Sequence, residues 1–163
     1  MVENLLLFRI DERLTHGQVM ISYMKKYPAK AILCIDDATA KDTFLSDIIA
    51  MSAPPGVEMK VVTVEAAGRI IAEGLTKPTI MLAKSPVTVK QLREAGAPID
   101  DFIIGGISKA PGKKTLYKSI SISDEELEAV KAMLAEGVNI DIQILASDKR
   151  QPAKNFIREE KKC

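Results

Sequence analysis

Apolar residues fall along this chain in short runs separated by stretches of helical period. Leu5-Leu6-Leu7-Phe8-Arg9-Ile10 reads as a buried strand, and a helix starts near Gly17. Ala31–Ile35 predicts a second strand, ending at Asp36-Asp37. The next helix should turn Phe44, Leu45, Ile48, Ile49 and Met51 inward and stop at Pro54-Pro55-Gly56. Met59–Val64 is the third strand, followed by a helix over Ala66–Glu73 with Gly74 past its end. Thr79–Ala83 is the fourth. Ser85-Pro86 then supplies an N-cap and a first-turn proline to a helix carrying Val89 and Leu92. Phe102-Ile103-Ile104, closed by Gly105-Gly106, is the fifth strand, and Lys118–Ile122 alternates as a sixth with one wet face. Ser123-Asp124-Glu125-Glu126 is a capping box opening a helix with Leu127, Val130 and Leu134 on one face and Gly137 at its end. Ile140–Leu145 alternates again as the seventh strand.

Strands alternating with helices of roughly 10–15 residues require right-handed crossovers and a parallel sheet covered on both faces. The expected class is therefore α/β: one domain over residues 1–163, with a mainly parallel seven-stranded sheet and helices on both faces. Lys109–Leu116 lacks helical period, so the strand after it is expected to run antiparallel, as a hairpin partner does. From about Ser147 to Cys163 the chain is charged and broken by Pro152, and reads as a tail with weak helical character near its end.

Composition narrows the function. Hydrophobic residues make up 47% and charged residues 28% of 163, which fits a folded globular chain and not a disordered one. With 23 Lys+Arg against 22 Asp+Glu, the net charge of +1 provides no field to recruit nucleic acid or anionic lipid. The longest apolar run, Ala31–Ile35, is far short of the roughly 18 residues of a membrane span, and without a basic stretch followed by a long apolar one near Leu5 no signal peptide is expected. Cys34 and Cys163 make no disulfide framework. A cytoplasmic location is expected. One histidine and two distant cysteines do not make a zinc site, so neither a metal nor another cofactor is expected.

In an open α/β sheet, ligands meet the carboxyl ends of the strands. The first such loop, Arg9 to Gln18, holds the chain's single histidine, His16, two arginines four residues apart, and Gly17 at the mouth of a helix. A helix N-terminus offers free N–H groups and partial positive charge to a phosphoryl dianion. The same charge keeps His16 neutral and hence nucleophilic. Arg13 can reach a phosphoryl oxygen, and Gly17 lets the backbone approach closely. A histidine at a strand–helix turn serves equally to cap or pack, however, and both arginines can pair with Asp11 and Glu12 on a solvated loop. Spacing alone leaves both readings open.

Arg9-Ile10-Asp11-Glu12-Arg13-Leu14-Thr15-His16-Gly17-Gln18-Val19 closely resembles the phosphorylation loop of the IIB components of the mannose/fructose/sorbose family of the sugar phosphotransferase system. The resemblance continues through Asp36-Asp37, Asp42, Ala53–Val57, Gly105-Gly106, Lys118–Ser123 and Glu136–Val138, covering roughly residues 3–146. Glu12 stands for the usual Asp, Thr15 for an aliphatic residue and Tyr23 where Trp is common. The resemblance implies a phosphocarrier. His16 would accept a phosphoryl group on Nδ1 from a phosphohistidine of the IIA protein and pass it to a sugar entering through the membrane components IIC and IID. Arg13 would stabilise the group in transfer. Arg9 and Asp11 would orient the loop, with Thr15, Gly17 and Gln18 giving loop or backbone contacts. The resemblance further implies a seven-stranded, mainly parallel fold, a free-standing IIB without a fused IIA, peripheral association with the transporter, and a homodimer.

Other features carry weaker signals. Asp36 and Asp37 suit helix capping, or a supporting role beside the phosphoryl loop, but Val61–Glu65 lacks the acceptor Asp of a response-regulator receiver. Gly105-Gly106 marks either a tight turn or the border of a crevice. Lys109, Lys113, Lys114 and Lys118 form a basic run suited to a solvated loop or to docking. A non-catalytic α/β binding or regulatory module, with His16 capping a helix, is the competing function.

Overall fold

The computed structural model describes residues 2–15 and 17–157, without the side chain of Gln18. The elements follow in the order β1 (Leu5–Asp11), α1 (Gly17–Lys26), β2 (Ala31–Ile35), α2 (Asp37–Lys41), α3 (Thr43–Met51), β3 (Glu58–Val62), α4 (Val64–Glu73), β4 (Thr79–Ala83) and α5 (Pro86–Glu94). Then come β5 (Asp101–Gly106), β6 (Lys113–Tyr117), β7 (Ile120–Ser123), α6 (Asp124–Ala135), β8 (Asn139–Ile142), β9 (Gln151–Pro152) and a 3-10 turn over Ala153–Phe156. Seven strands form one sheet in the order β3-β2-β4-β1-β5-β8-β9, all parallel except β9, and β6-β7 form a separate antiparallel pair. The α/β class and the seven-stranded sheet match the sequence reading.

Membership of the sheet differs in one strand. The run at Lys118–Ile122 belongs to the separate hairpin: Lys118 turns the chain at φ 45 and Ile120–Ser123 pairs back on Lys113–Tyr117. The seventh place is taken by β9, from the segment read as a tail, where Gln151 and Pro152 pair with Ile142 and Asp141 and Ala153 is fully buried. Proline is tolerated there because β9 is an edge strand.

Local signals in the sequence account for most helix ends. Thr63 caps α4, Ser85 caps α5 ahead of Pro86, and Ser123 and Glu126 close a reciprocal capping box at α6. With Thr63 claimed as a cap, β3 ends at Val62 rather than at Val64. Period two then builds two core layers. Phe8, Ile10, Met81, Phe102 and Ile104 face α5 and α6, while Leu7, Ile80, Leu82 and Ile103 face the opposite side with Met20 and Tyr23 of α1.

The helix α3 departs from expectation. Of the residues expected inward, Phe44 is 76% and Met51 85% exposed, Leu45 and Ile48 are also exposed, and only Ile49 packs partly on the core. The reason is position: α3 packs beside β3, the last strand of the sheet, and among the described residues no element lies beyond it to cover the outer apolar face.

Candidate functional site

The central strand β1 lies between β4 and β5, so its carboxyl end opens in the middle of the sheet edge. Asp11 is the last residue of β1 and is buried. Its Oδ1 accepts from the backbone N–H of Arg13 at 3.0 Å and from Nε at 2.9 Å, while Oδ2 accepts from Nη2 at 2.8 Å. This two-oxygen clamp fixes a side chain that is still 47% exposed. The next residue, Leu14, is buried at φ 57, a left-handed conformation costly for a branched side chain and paid for by its N–H bond to the Asp11 carbonyl at 2.9 Å. Such a turn reverses the chain between β1 and α1, which begins at Gly17.

His16 lies outside the described residues, as does the side chain of Gln18. Their neighbours are placed: Thr15 is half-buried before the helix, and no described atom comes within 4 Å of where a Gly17 side chain would begin.

The charges of the clamp reinforce one another. Burial raises the pKa of Asp11, but hydrogen bonds from Arg13 and the charges of Arg9 and Arg13 outweigh it, so the carboxyl sits below its ordinary value. Arg13 is raised, chiefly by its bond to Asp11. Arg9 lies behind, 1% exposed, with Nη2 3.4 Å from Asp11 Oδ2. The loop is also tied to β5: the Glu12 N–H donates to the Gly106 carbonyl at 2.8 Å, and the Ser108 hydroxyl donates to Glu12 Oε1.

Gly105 and Gly106 make no tight turn; of the two expected features, what they fit is the border of the site, against Arg9, Asp11 and Arg13. Both lie within β5 and neither has positive φ. What they provide is room. A Cβ on Gly105 would fall 2.0 Å from Arg9 Cζ, and one on Gly106 within 3.1 Å of both Asp11 oxygens. Tyr23 and Gln143 join the same cluster; Gly105-Gly106 and Tyr23 stand out in the sequence, whereas nothing in the spacing along the chain reveals Gln143. The signal at Gly105-Gly106 is a pair of glycines ending a strand whose preceding residues, Phe102, Ile103 and Ile104, are bulky.

Asp36 and Asp37 are not brought to the loop, because β4 stands between β2 and β1. Asp36 caps α2 by accepting from the Thr39 N–H at 3.1 Å and faces Lys84 at 3.4 Å. Burial raises its pKa, but the Thr39 bonds and Lys84 lower it further, to a net value below the ordinary one. Asp37 accepts from the Val64 N–H at 2.8 Å. In the basic run, Lys113 lies 3.6 Å from Glu126, Lys114 lies 4.0 Å from Asp124, and Lys118 sits over the Tyr117 ring. Burial pushes the Cys34 thiol up to about 12, which leaves it protonated and unreactive. Among the described residues no group of His, Cys, Asp and Glu could hold a metal ion, and no helix is long and apolar enough to cross a membrane.

Comparison with known proteins places the chain among IIB components and matches its fold. The chain is 28% identical over 159 residues to the fructose-specific EIIB component of Bacillus subtilis, covering 95% of this chain and 96% of that one. It is 31% identical over 144 residues to the sorbose-specific EIIB component of Klebsiella pneumoniae, covering 87% and 88%. The solved structure of the IIBSor domain of the Klebsiella pneumoniae sorbose permease superposes with a TM-score of 0.90 at 30% identity, covering 100% of both chains. The family described as PTS system sorbose subfamily IIB component matches residues 5–163, so the chain belongs to that family of phosphotransferases of sugar uptake.

Proposed function

We propose that this IIB component carries its phosphoryl group on His16. The observation that carries the reading is the Asp11 clamp, which holds Arg13 rigidly three residues before His16 at the carboxyl end of the central strand. The lone pair of His16 Nδ1 attacks the phosphorus of a phosphohistidine on the IIA protein. A new P–N bond forms as the donor's breaks. A sugar hydroxyl then attacks the same phosphorus, losing its proton to water, and the His16 P–N bond breaks to regenerate neutral imidazole. Arg13 compensates the charge that spreads over the phosphoryl oxygens in a loose transition state. Arg9 and Asp11 hold Arg13, and Thr15, Gly17 and Gln18 border the acceptor. Asp36 and Asp37 cap helices and keep that role.

The sugar is presented by the membrane components IIC and IID, so the protein works in the cytoplasm against the membrane face of the transporter. One domain spans the chain. The exposed Phe44, Ile48 and Met51 of α3 support contact with a second copy, since clustered apolar side chains in water mark interaction surfaces.

Incubation with labelled phosphoenolpyruvate, the general phosphotransferases and a cognate IIA tests the reading. The wild-type chain is expected to take up acid-labile, alkali-stable phosphate and His16→Ala none. Arg13→Ala should be labelled but pass phosphate to sugar roughly a hundredfold more slowly. Full labelling of His16→Ala would overturn the assignment in favour of another acceptor, and an unlabelled wild type would favour a binding module.

A further inference from the structure

Arg9 is the largest of the fully buried side chains, and nothing in a packed core requires an arginine there. A buried ion pair often adds no stability over apolar residues of similar size, so its use is better sought in geometry. Period two on β1 and β5 places Arg9 and Gly105 on the sheet face covered by α1, together with Leu7 and Ile103. The guanidinium occupies the space a side chain at Gly105 would fill. Its Nη1 donates to the Tyr23 hydroxyl at 2.8 Å and to the Gln143 carbonyl at 2.8 Å, and its Nη2 to the Ile144 carbonyl at 3.0 Å. The Tyr23 hydroxyl in turn donates to Gln143 Oε1 at 2.7 Å. That hydroxyl accepts and donates at once, which among side chains of this size tyrosine alone does. The carbonyls of Gln143 and Ile144 thus turn to Arg9, and β8 stops at Ile142.

We infer that Tyr23 and Gly105 are positioning residues for phosphoryl transfer: they hold the Arg9 guanidinium against Asp11, and Asp11 aims Arg13. The inference rests on the phosphocarrier reading above. Arg9 has one orientation because Gly105 admits it, Tyr23 and the carbonyls of Gln143 and Ile144 just past β8 bind its far side, and Asp11 takes its near side. Loosening the far side frees the guanidinium to rotate, and the Asp11 carboxylate then loses one of the two cations that fix its plane. Misaligning a charge-compensating group by about 1 Å costs roughly 10²-fold in rate, so a partial loosening should cost about tenfold.

Tyr23→Phe removes one oxygen and keeps the ring, and Gly105→Ala adds one methyl in the space of Arg9. Each full-length variant is assayed in the complete chain from phosphoenolpyruvate to sugar. Heteronuclear NMR follows the Arg13 Nε–H resonance, which reads the bond to Asp11 directly. For Tyr23→Phe the maximal transfer rate is expected to fall about tenfold, with the phospho-IIA concentration giving half-maximal rate unchanged, and the Arg13 Nε–H resonance should move toward that of a free arginine. Gly105→Ala should show the same changes more strongly. Transfer within about twofold of wild type in Tyr23→Phe, or a slower rate with the Arg13 Nε–H resonance unmoved, would overturn the inference and leave Tyr23 a packing residue. Should Gly105→Ala fail to fold, Tyr23→Phe decides alone. A wild-type chain that takes up no phosphate would instead remove the carrier reading, a failure distinguishable from that of the variants.

Discussion

Asp11 accepts four hydrogen bonds from two arginines through a carboxylate that water scarcely reaches. Its lowered pKa makes the clamp a stability term with a definite pH dependence. The folded value lies below the unfolded value of about 3.9, so the contribution is complete above that pH and is lost as pH falls through the folded pKa. Asp11→Asn should therefore destabilise the chain at neutral pH by about 3 kcal/mol, the cost of leaving the buried Arg9 charge without its anion. Urea unfolding at a series of pH values checks the sign: the gap between wild type and variant should narrow below about pH 4, and a constant gap would contradict the account. The Arg9-Asp11-Arg13 order was legible in the sequence because these residues sit within one turn of chain. The convergence of Tyr23, Gly105 and Gln143 on one guanidinium was not, since α1, β5 and the segment just past β8 deliver them from far along the chain.

At the scale of elements, periodicity identifies a helix and its apolar face but not what covers that face. The helix α3 shows the difference, since none of its nine residues is buried. Phe44→Ser should change stability by no more than about 0.5 kcal/mol, whereas Phe102→Ala, on a fully buried strand residue, should cost about 3–5 kcal/mol. Denaturant midpoints of the two variants, taken at protein concentrations low enough to keep the chain monomeric, measure this contrast, and a large loss in Phe44→Ser would then mean that α3 is covered within the monomer. Caps were legible for a related reason: Ser85-Pro86 and the Ser123–Glu126 box act over a few residues. The strand β9 was not, because its two paired residues owe their conformation to Asp141 and Ile142 of β8 rather than to any local pattern.

Across the whole molecule, the parallel order places β1 at the centre of the sheet, with β4 and β5 as flanks and α1 leading away from its carboxyl end. Every parallel strand runs to that edge, so glycines of β5 and carbonyls beyond β8 pack behind the loop that β1 presents. The buried Cys34, with its thiol held protonated, offers no rival nucleophile in this core. The most direct measurement is residue-level mass spectrometry of the energised wild-type protein, digested under alkaline conditions that preserve phosphohistidine. The account predicts phosphate on His16 within the peptide that runs from Leu14 to Lys25. Phosphate on Thr15, Ser22 or Tyr23 of that peptide, or on any other residue, would contradict it.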